Sequence, residues 1–465
     1  MMKRISLIFL VFFSFLSFLS GQTVILGSAP GAEGKTIRLS TYGDLISFYE
    51  IPLASSRIDS TGSFTLSMQL QETQYVILSI EFHQAPIFLE PGKTYTIKIA
   101  QMDYNESREI NPLINAENLQ LEIVKPDQDD LNIVIGDFNG MYNSFLLEHF
   151  NALYRDKDKS LLDSLRRMIL STFGEVYNPY FRTYAAYKIA ALEQLTQAMT
   201  QSQIASEYFI GKPIRYANLE YMDFFNNFFT KYITVTSKIL KYTDYRKILD
   251  GPDPYYNLLR TLAKDTILKD SQLRELVLLK GMMELYNSPD FNKDAILRVI
   301  STAGNVSPFL ENREVASDIW KVLSRLKPGT EAPAFSLPDR NHNMVSLSSF
   351  HGKPVLLCFW TTYCQGCLSE LDLMIELYKR FGSRIHFISI SSDREFIKMM
   401  LFITRKDDYK WTFLHAGEQL EILKDYDVRS YPLFVLIDQE GNILKYPVEY
   451  PSKGLEKVLE TILAP

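Results

Sequence analysis

The fold of the C-terminal part is decided by the segment VLLCFWTTYCQGC, residues 355–367. Its first six residues form an apolar run, and this length and composition predict a buried strand. A short turn and a Cys-x-x-Cys pair, Cys364 and Cys367, come next, and a helical pattern begins at Leu368. Unpaired backbone N–H groups and the helix dipole favour a thiolate at a helix N-terminus. The segment therefore predicts a reactive dithiol at the start of a helix.

The composition is that of an ordinary globular protein. With 465 residues, the chain is long enough for about three domains. Apolar residues make up 46% and charged residues 22%, with a formal net charge of -6. Because the chain is acidic and carries no basic tract, we expect no nucleic-acid partner.

The first residues have the pattern of an export signal. Two positive charges, Lys3 and Arg4, precede an apolar run of about 15 residues that ends before Ser20-Gly21. This run is short for a membrane span, so we predict a signal peptide at residues 1–21; the alternative is an uncleaved anchor. Gln22, rather than Cys, follows the small residues and disfavours a lipoprotein anchor. The predicted location is the periplasm or cell envelope.

Cysteine usage points to chemistry rather than to structural crosslinks. The chain has three cysteines, Cys358, Cys364 and Cys367. An exported protein with one tight pair and no scattered disulfide framework is expected to use its thiols for exchange. A zinc site would need two further ligands, and no second pair or paired histidine is nearby, so no metal is predicted. Cys358, within the apolar run, is predicted to be an inert core residue.

Two regions precede the dithiol domain. Residues 22–104 contain short alternating segments separated by turns, as at Asp59-Ser60-Thr61-Gly62, and predict a β-sandwich. Residues 105–326 show helical spacing and predict an all-α region.

One helix there carries an aromatic face, predicted to pack in the core, with a partner-binding surface as the alternative. Its residues are Tyr221, Phe224, Phe225, Phe228, Phe229 and Tyr232.

Residues 327–465 alternate strands and helices and end with a hairpin and a helix, which predicts a mixed sheet flanked by helices. Four motifs follow one another in this region: Gly329-x-x-Ala332-Pro333-x-Phe335, Gly352-Lys353-Pro354-Val355, Phe359-Trp360-x-x-x-Cys364-x-x-Cys367 and Tyr431-Pro432-Leu433-Phe434. Together they resemble the thioredoxin-like periplasmic proteins that include the TlpA and ResA thiol-disulfide oxidoreductases. With its turns at Asp59-Ser60-Thr61-Gly62 and Leu89-Glu90-Pro91-Gly92, the region 22–104 resembles the β-rich domain found ahead of such domains in secreted Gram-negative proteins.

The resemblance implies an enzyme that exchanges disulfides through a Cys364–Cys367 disulfide and needs no other cofactor. It implies a disulfide-containing protein substrate, a membrane electron donor, and reduction rather than oxidation, with cytochrome c maturation as one typical use. Cys364 would be the attacking thiolate, Cys367 the resolving thiol and Glu370 the proton carrier.

The resemblance also implies a substrate surface. Pro432 matches the family's cis-proline, which would present the backbone of Tyr431 to a peptide strand, and Trp360 and Tyr363 are further expected substrate contacts. Two departures stand out. The apolar run around Cys358 lies where thioredoxin itself has a buried acid, and Gly366 replaces a common proline.

Two other functions are open. A peroxiredoxin-type peroxidase would share the fold, and Thr361 fits its motif, but Leu357 stands where that motif has proline. Alternatively, the thioredoxin-like domain is an accessory of a partner-binding protein.

His351 and His415 are predicted to be surface residues.

Overall fold

The structure is a computed structural model that describes residues 21–81, 83–102, 104, 117–127, 129–417, 419 and 421–463. Residues 1–20 of the predicted signal peptide therefore lie outside the described residues. Among the helices that are described, none has the length and apolar character needed to cross a membrane.

The N-terminal region is a sandwich of two sheets. One sheet has the strand order β4-β1-β7-β9 and the other β3-β2-β5-β6-β8. The strands are β1 (Gln22–Ser28), β2 (Thr36–Tyr42), β3 (Glu50–Arg57), β4 (Ser63–Gln69), β5 (Gln74–Ile80), β6 (His83–Leu89), β7 (Thr94–Ile99), β8 (Glu117–Asn118) and β9 (Leu121–Ile123).

Alternation of apolar and polar residues explains the sandwich. Phe64, Leu66 and Met68 of β4 are buried while the residues between them are exposed, so one face of each strand packs in the core between the sheets. The predicted boundary at residue 104 is wrong, because β8 and β9 extend the two sheets. These strands have two and three residues, too few for an alternating pattern to reveal them in the sequence.

The central region is helical from Leu131 onward. The aromatic face is fully buried, with no member more than 5% exposed, which confirms that it packs in the core. It spans more than one helix, since α6 ends at Phe228 and Tyr232 begins a π-helical turn. The helices are α1 (Leu131–Glu148), α2 (Phe150–Tyr154), α3 (Ser160–Phe173), α4 (Pro179–Leu195), α5 (Gln201–Tyr208), α6 (Leu219–Phe228), α7 (Tyr242–Asp250), α8 (Pro254–Leu262), α9 (Ser271–Leu285), α10 (Lys293–Val306) and α11 (Leu310–Ser324).

The loop between β2 and β3 joins the sandwich to the helices. Leu45 and Ile46 of this loop are buried in the same core cluster as the aromatic face. The side-chain amide of Asn226 donates a hydrogen bond to the carbonyl of Leu45 at 2.6 Å. The sandwich and the helical region therefore share apolar core.

The C-terminal region has a five-stranded sheet of order β14-β13-β12-β15-β16. Strands β12, β13 and β14 are parallel, and β15 and β16 add in antiparallel fashion, which confirms the mixed sheet. The elements are β10 (Ser336–Pro338), β11 (Met344–Ser346), β12 (Val355–Trp360), α12 (Gln365–Phe381), β13 (His386–Ser391), α13 (Phe396–Ile403), β14 (Thr412–His415), α14 (Glu421–Asp425), β15 (Leu433–Ile437), β16 (Ile443–Lys445) and α15 (Leu455–Ile462).

Strand β12 is central and buried on both faces, as its continuous apolar run predicts. Leu356, Cys358 and Trp360 pack in the cluster that includes buried residues of α12, α13 and α15. The intervening Val355, Leu357 and Phe359 pack in the cluster that includes α14. The strand therefore fixes the turn that follows it between two packed layers.

Candidate functional site

The two cysteines of the predicted dithiol are disulfide-bonded at the start of α12. Cys364 is the N-cap residue, and its Sγ accepts a hydrogen bond from the backbone N–H of Cys367 at 3.1 Å. Cys364 is partly exposed, whereas Cys367 is completely buried. Only the first sulfur can meet an incoming disulfide. It also lies where the helix N-terminus stabilises a thiolate.

The third cysteine has a different environment. Cys358 is a free, fully buried thiol on the face of β12 that packs with α12. Burial raises the pKa of this thiol well above its usual value, and the charge of Glu370 raises it further. Since the thiolate is the reactive form, Cys358 is a packing residue in this fold.

Glu370 lies in α12, one turn beyond Cys367. Its carboxylate accepts hydrogen bonds from the backbone N–H of Ser452, at 2.9 Å, and from the Ser452 hydroxyl. These bonds orient the side chain of Glu370 toward the 3-10 turn of residues 451–453, which precedes α15.

Tyr431 and Pro432 lie beside the dithiol turn. The Tyr431–Pro432 peptide bond is cis, and Pro432 is buried. In the antiparallel pairing of β12 with β15, Phe359 stands opposite Leu433, so the residues just beyond the pair reach the same edge of the sheet. Burial raises the pKa of the Tyr431 hydroxyl, which stays protonated at neutral pH.

The two other predicted substrate contacts have opposite environments. Tyr363 is 42% exposed, immediately before Cys364. Trp360 has no exposed surface and packs against Phe402 and Phe413. The prediction of a substrate contact at Trp360 is therefore corrected, because β12 is covered on both faces and Trp360 packs inside the cluster that includes buried residues of α12, α13 and α15.

A buried aspartate holds the turn between β12 and α12. Asp393, 1% exposed, follows the end of β13. Its carboxylate accepts hydrogen bonds from the backbone N–H of Thr362 at 3.0 Å and from the Thr362 hydroxyl at 2.7 Å. The Ser391 hydroxyl donates a further bond to it, also at 2.7 Å. The sequence analysis did not find this residue, since Asp393 lies 29 positions after Cys364 with no motif linking the two.

His415 is buried rather than exposed, so its predicted surface position is wrong. It ends β14, a short edge strand that the sequence did not reveal, and the ring of Phe396 from α13 packs against the His415 ring with 5.4 Å between the ring centroids. Its Nε2 lies 2.7 Å from the backbone carbonyl of Asp393, which can only accept, so Nε2 carries a proton and donates. Burial lowers the pKa of His415, which keeps the ring neutral near pH 7.

Comparison with known proteins agrees with this geometry. The model of the AhpC/TSA family matches residues 328–446. Thiol-disulfide oxidoreductase ResA of Bacillus thuringiensis subspecies konkukian is 31% identical over 140 residues, which are 30% of this chain and 80% of the relative. Thioredoxin-like protein YneN of Bacillus subtilis is 31% identical over 121 residues, 25% of this chain and 69% of the relative.

A solved structure also resembles the C-terminal region. It is the thioredoxin domain of a thiol-disulfide oxidoreductase from Bacteroides vulgatus, 27% identical, with a TM-score of 0.28. The match covers 30% of this chain and 99% of that one.

Proposed function

Because this chain belongs, through its C-terminal region, to the family of thioredoxin-like thiol-disulfide oxidoreductases that includes ResA, we propose that Cys364 and Cys367 carry its redox chemistry. One observation carries the proposal. The partly exposed Cys364 caps α12 and is disulfide-bonded to the fully buried Cys367. An exposed attacking sulfur backed by a shielded resolving sulfur is the arrangement that two-step exchange requires.

The proposed reaction has two steps. The Cys364 thiolate attacks one sulfur of the partner's disulfide, forming a mixed disulfide and releasing the partner's other sulfur as a thiolate that takes up a proton. Cys367 then loses its proton and attacks Cys364, releasing the second partner thiol. The partner gains two electrons and two protons, and the enzyme is left oxidised.

Glu370 is the proposed proton carrier for the second step. Cys367 is buried, so its proton needs an acceptor that reaches the interior. Glu370 lies one helical turn after Cys367 on α12, and its negative charge adds to the raised pKa of the buried Cys358 thiol, which supports the proposal. Thioredoxin's buried acid has no counterpart on β12, where Cys358 stands instead.

We further propose that the exposed surface beside Cys364 binds an extended segment of a disulfide-containing protein. Tyr363 supplies an exposed aromatic ring there. The backbone of Tyr431, next to the cis bond, is the proposed pairing edge for that segment. Trp360 supports this surface from beneath without reaching it.

The proposed direction is reduction of the partner, in the periplasm or cell envelope. The basic, apolar and small-residue pattern of residues 1–21 supports export. Disulfides persist in such oxidising compartments, so the Cys364–Cys367 disulfide of a reductase there must be reduced again by an electron donor. We propose that this donor lies in the membrane. The midpoint potential tests the direction. A value near about −270 mV, as in thioredoxin, supports reduction, whereas a value near about −120 mV, as in DsbA, contradicts it.

The exchange activity itself is tested by reduction of insulin with a dithiol as the electron source. We expect Cys364→Ser to abolish the catalysed reduction. Cys358→Ala is the matched control, because it removes the one other thiol, which is buried, and should keep the activity. If wild type and Cys364→Ser reduce insulin at the same rate, the proposed function is wrong.

A further inference from the structure

The dithiol turn is held from outside its own segment. The backbone N–H of Cys364 closes the turn on the carbonyl of Thr361 at 3.3 Å. The backbone N–H of Thr362 points away from this turn, and both carboxylate oxygens of Asp393 accept it, at 3.0 and 3.2 Å. The turn is therefore fastened to the next strand of the sheet by one carboxylate.

Hydrogen bonds to both its side chain and its backbone hold Asp393 in place. The Ser391 hydroxyl donates to its carboxylate at 2.7 Å and accepts from its backbone N–H at 3.1 Å. His415, on the neighbouring strand β14, donates to its backbone carbonyl at 2.7 Å. Ser391 and His415 face each other in the parallel register of β13 and β14. These bonds hold the Asp393 carboxylate where it accepts the N–H of Thr362.

Position matters because Cys364 depends on its place at the helix end. Its sulfur accepts the N–H of Cys367 only as the N-cap of α12. A charge-assisted hydrogen bond such as that from Thr362 to Asp393 is among the stronger ones in proteins. Releasing Thr362 would let the turn move and would reduce the time that Cys364 spends at the helix end, where its thiolate is stabilised.

We propose that Asp393 is a positioning residue for the dithiol, which holds Thr362 so that Cys364 caps α12 and is activated as a thiolate. The proposal rests on the proposed function, because it assigns Asp393 a role through Cys364. Asp393 touches neither sulfur through any hydrogen bond of the described residues, so its proposed effect is on the position of Cys364.

Alkylation of Cys364 in the reduced full-length protein tests the proposal. Iodoacetamide reacts with the thiolate, and mass spectrometry separates exposed Cys364 from buried Cys367. We expect Asp393→Ala to slow alkylation about tenfold at pH 7 and to raise the midpoint of its pH profile by about one unit, since one pH unit corresponds to tenfold in thiolate. Asp393→Asn should keep most of the rate, because its Oδ1 still accepts the N–H of Thr362.

Asp265 provides a matched control. It is also a buried aspartate, 7% exposed, that accepts hydrogen bonds from Ser237 and the backbone of Ile267, but it lies in the helical region. Asp265→Asn should leave the pH profile of Cys364 alkylation unchanged, so an effect of Asp393 variants is not a general result of losing a buried charge.

Two results would overturn the proposal. One is an unchanged alkylation profile in Asp393→Ala. The other is faster alkylation in both the Ala and Asn variants, which would show that the charge of Asp393 opposes the thiolate instead of holding the turn. Should Asp393→Ala not fold, Asp393→Ser serves instead, because its shorter side chain no longer reaches the backbone N–H of Thr362; an unchanged alkylation profile in that variant would equally overturn the proposal. Insulin reduction by wild type reports on the proposed function separately.

Discussion

Two buried carboxylates, those of Glu275 and Asp393, are each 1% exposed and have different structural roles in this protein. Glu275 lies in the helical region and accepts hydrogen bonds from the Tyr255 hydroxyl, the Ser307 hydroxyl and the Asn312 amide. Asp393 lies in the thioredoxin-like domain and accepts from the backbone of a turn. The first joins side chains around four helices, and the second fastens the segment that carries the dithiol.

Glu275 and Asp393 are both fully hydrogen-bonded, but their hydrogen bonds hold different parts of the protein together. Burying a carboxylate is costly unless donors surround it, and both residues have them. Glu275 is surrounded by donors from the packed core, so its loss should damage stability. Asp393 is surrounded by one strand end and the dithiol turn, so its loss should damage reactivity first.

The largest expected effect is that of Glu275→Ala on stability. It leaves the Tyr255, Ser307 and Asn312 donors without their acceptor in a closed core, at a cost of at least about 3 kcal/mol in the free energy of unfolding. Urea unfolding followed by far-UV circular dichroism measures the loss. Glu275→Gln, which keeps an acceptor oxygen, should lose less. An unfolding midpoint unchanged in the Ala variant would show that Glu275 does not join these helices.

Asp44, in the loop that enters the helical region, should make stability depend on pH. Burial raises its pKa from 3.8 to about 6, with a further rise from Asp318, although bonds from Ser47 and Ile46 oppose the shift. The folded state therefore binds this proton more tightly than the unfolded chain. The corresponding stability is complete below pH 3.8 and is lost as pH rises through about 6, up to about 3 kcal/mol.

Thermal unfolding of wild type and Asp44→Asn at pH 4 and pH 7 measures this dependence. The Asn variant carries no charge at either pH, and its Oδ1 can still accept from Ser47. We expect it to gain stability over wild type on going from pH 4 to pH 7. An equal difference between the two proteins at both pH values would rule out Asp44 as the titrating group.

Glu370→Gln should slow disulfide exchange about tenfold at neutral pH and shift the pH–rate profile upward, because an amide cannot take the proton of Cys367. Glu376→Gln is the control, since Glu376 lies on the same helix and its side chain is 74% exposed. Insulin reduction from pH 5 to pH 9 measures the profile. Superimposable profiles for wild type and Glu370→Gln would reject the proton-carrier role.

The smallest expected effect concerns the contact between the sandwich and the dithiol domain. Arg394 follows Asp393 and lies 3.7 Å from the carboxylate of Glu81, in the β5–β6 turn. The side chains are only 17% and 9% exposed, but the pair is long and Glu81 also pairs with Lys35, so we expect the coupling to be below about 1 kcal/mol. A double-mutant cycle with Glu81→Gln and Arg394→Gln isolates this pair from other contacts of each residue. A coupling above about 2 kcal/mol would show that the sandwich braces the active-site loop.

The sequence predicted the parts of the site that follow from local pattern. The apolar run before Cys364 indicated β12, and the Cys-x-x-Cys spacing indicated the helix start, because both depend on neighbours in the chain. Asp393 was not predicted because its contact with Thr362, 31 positions earlier, depends on the pairing of β12 with β13. His415 was not predicted because the pairing of β13 with β14 brings it to Asp393, 22 positions earlier. Trp360 was misassigned because nearness to Cys364 in sequence does not reveal that both faces of β12 are covered, which depends on packing with distant segments.

Trapping the mixed disulfide tests the central claim, that Cys364 attacks and Cys367 resolves. Reduced Cys367→Ser protein is mixed with insulin, and covalent adducts are mapped by mass spectrometry. The account predicts a stable adduct on Cys364, because the resolving thiol is absent, and none in Cys364→Ser. An adduct on Cys358, or adducts equally abundant in both variants, would contradict it.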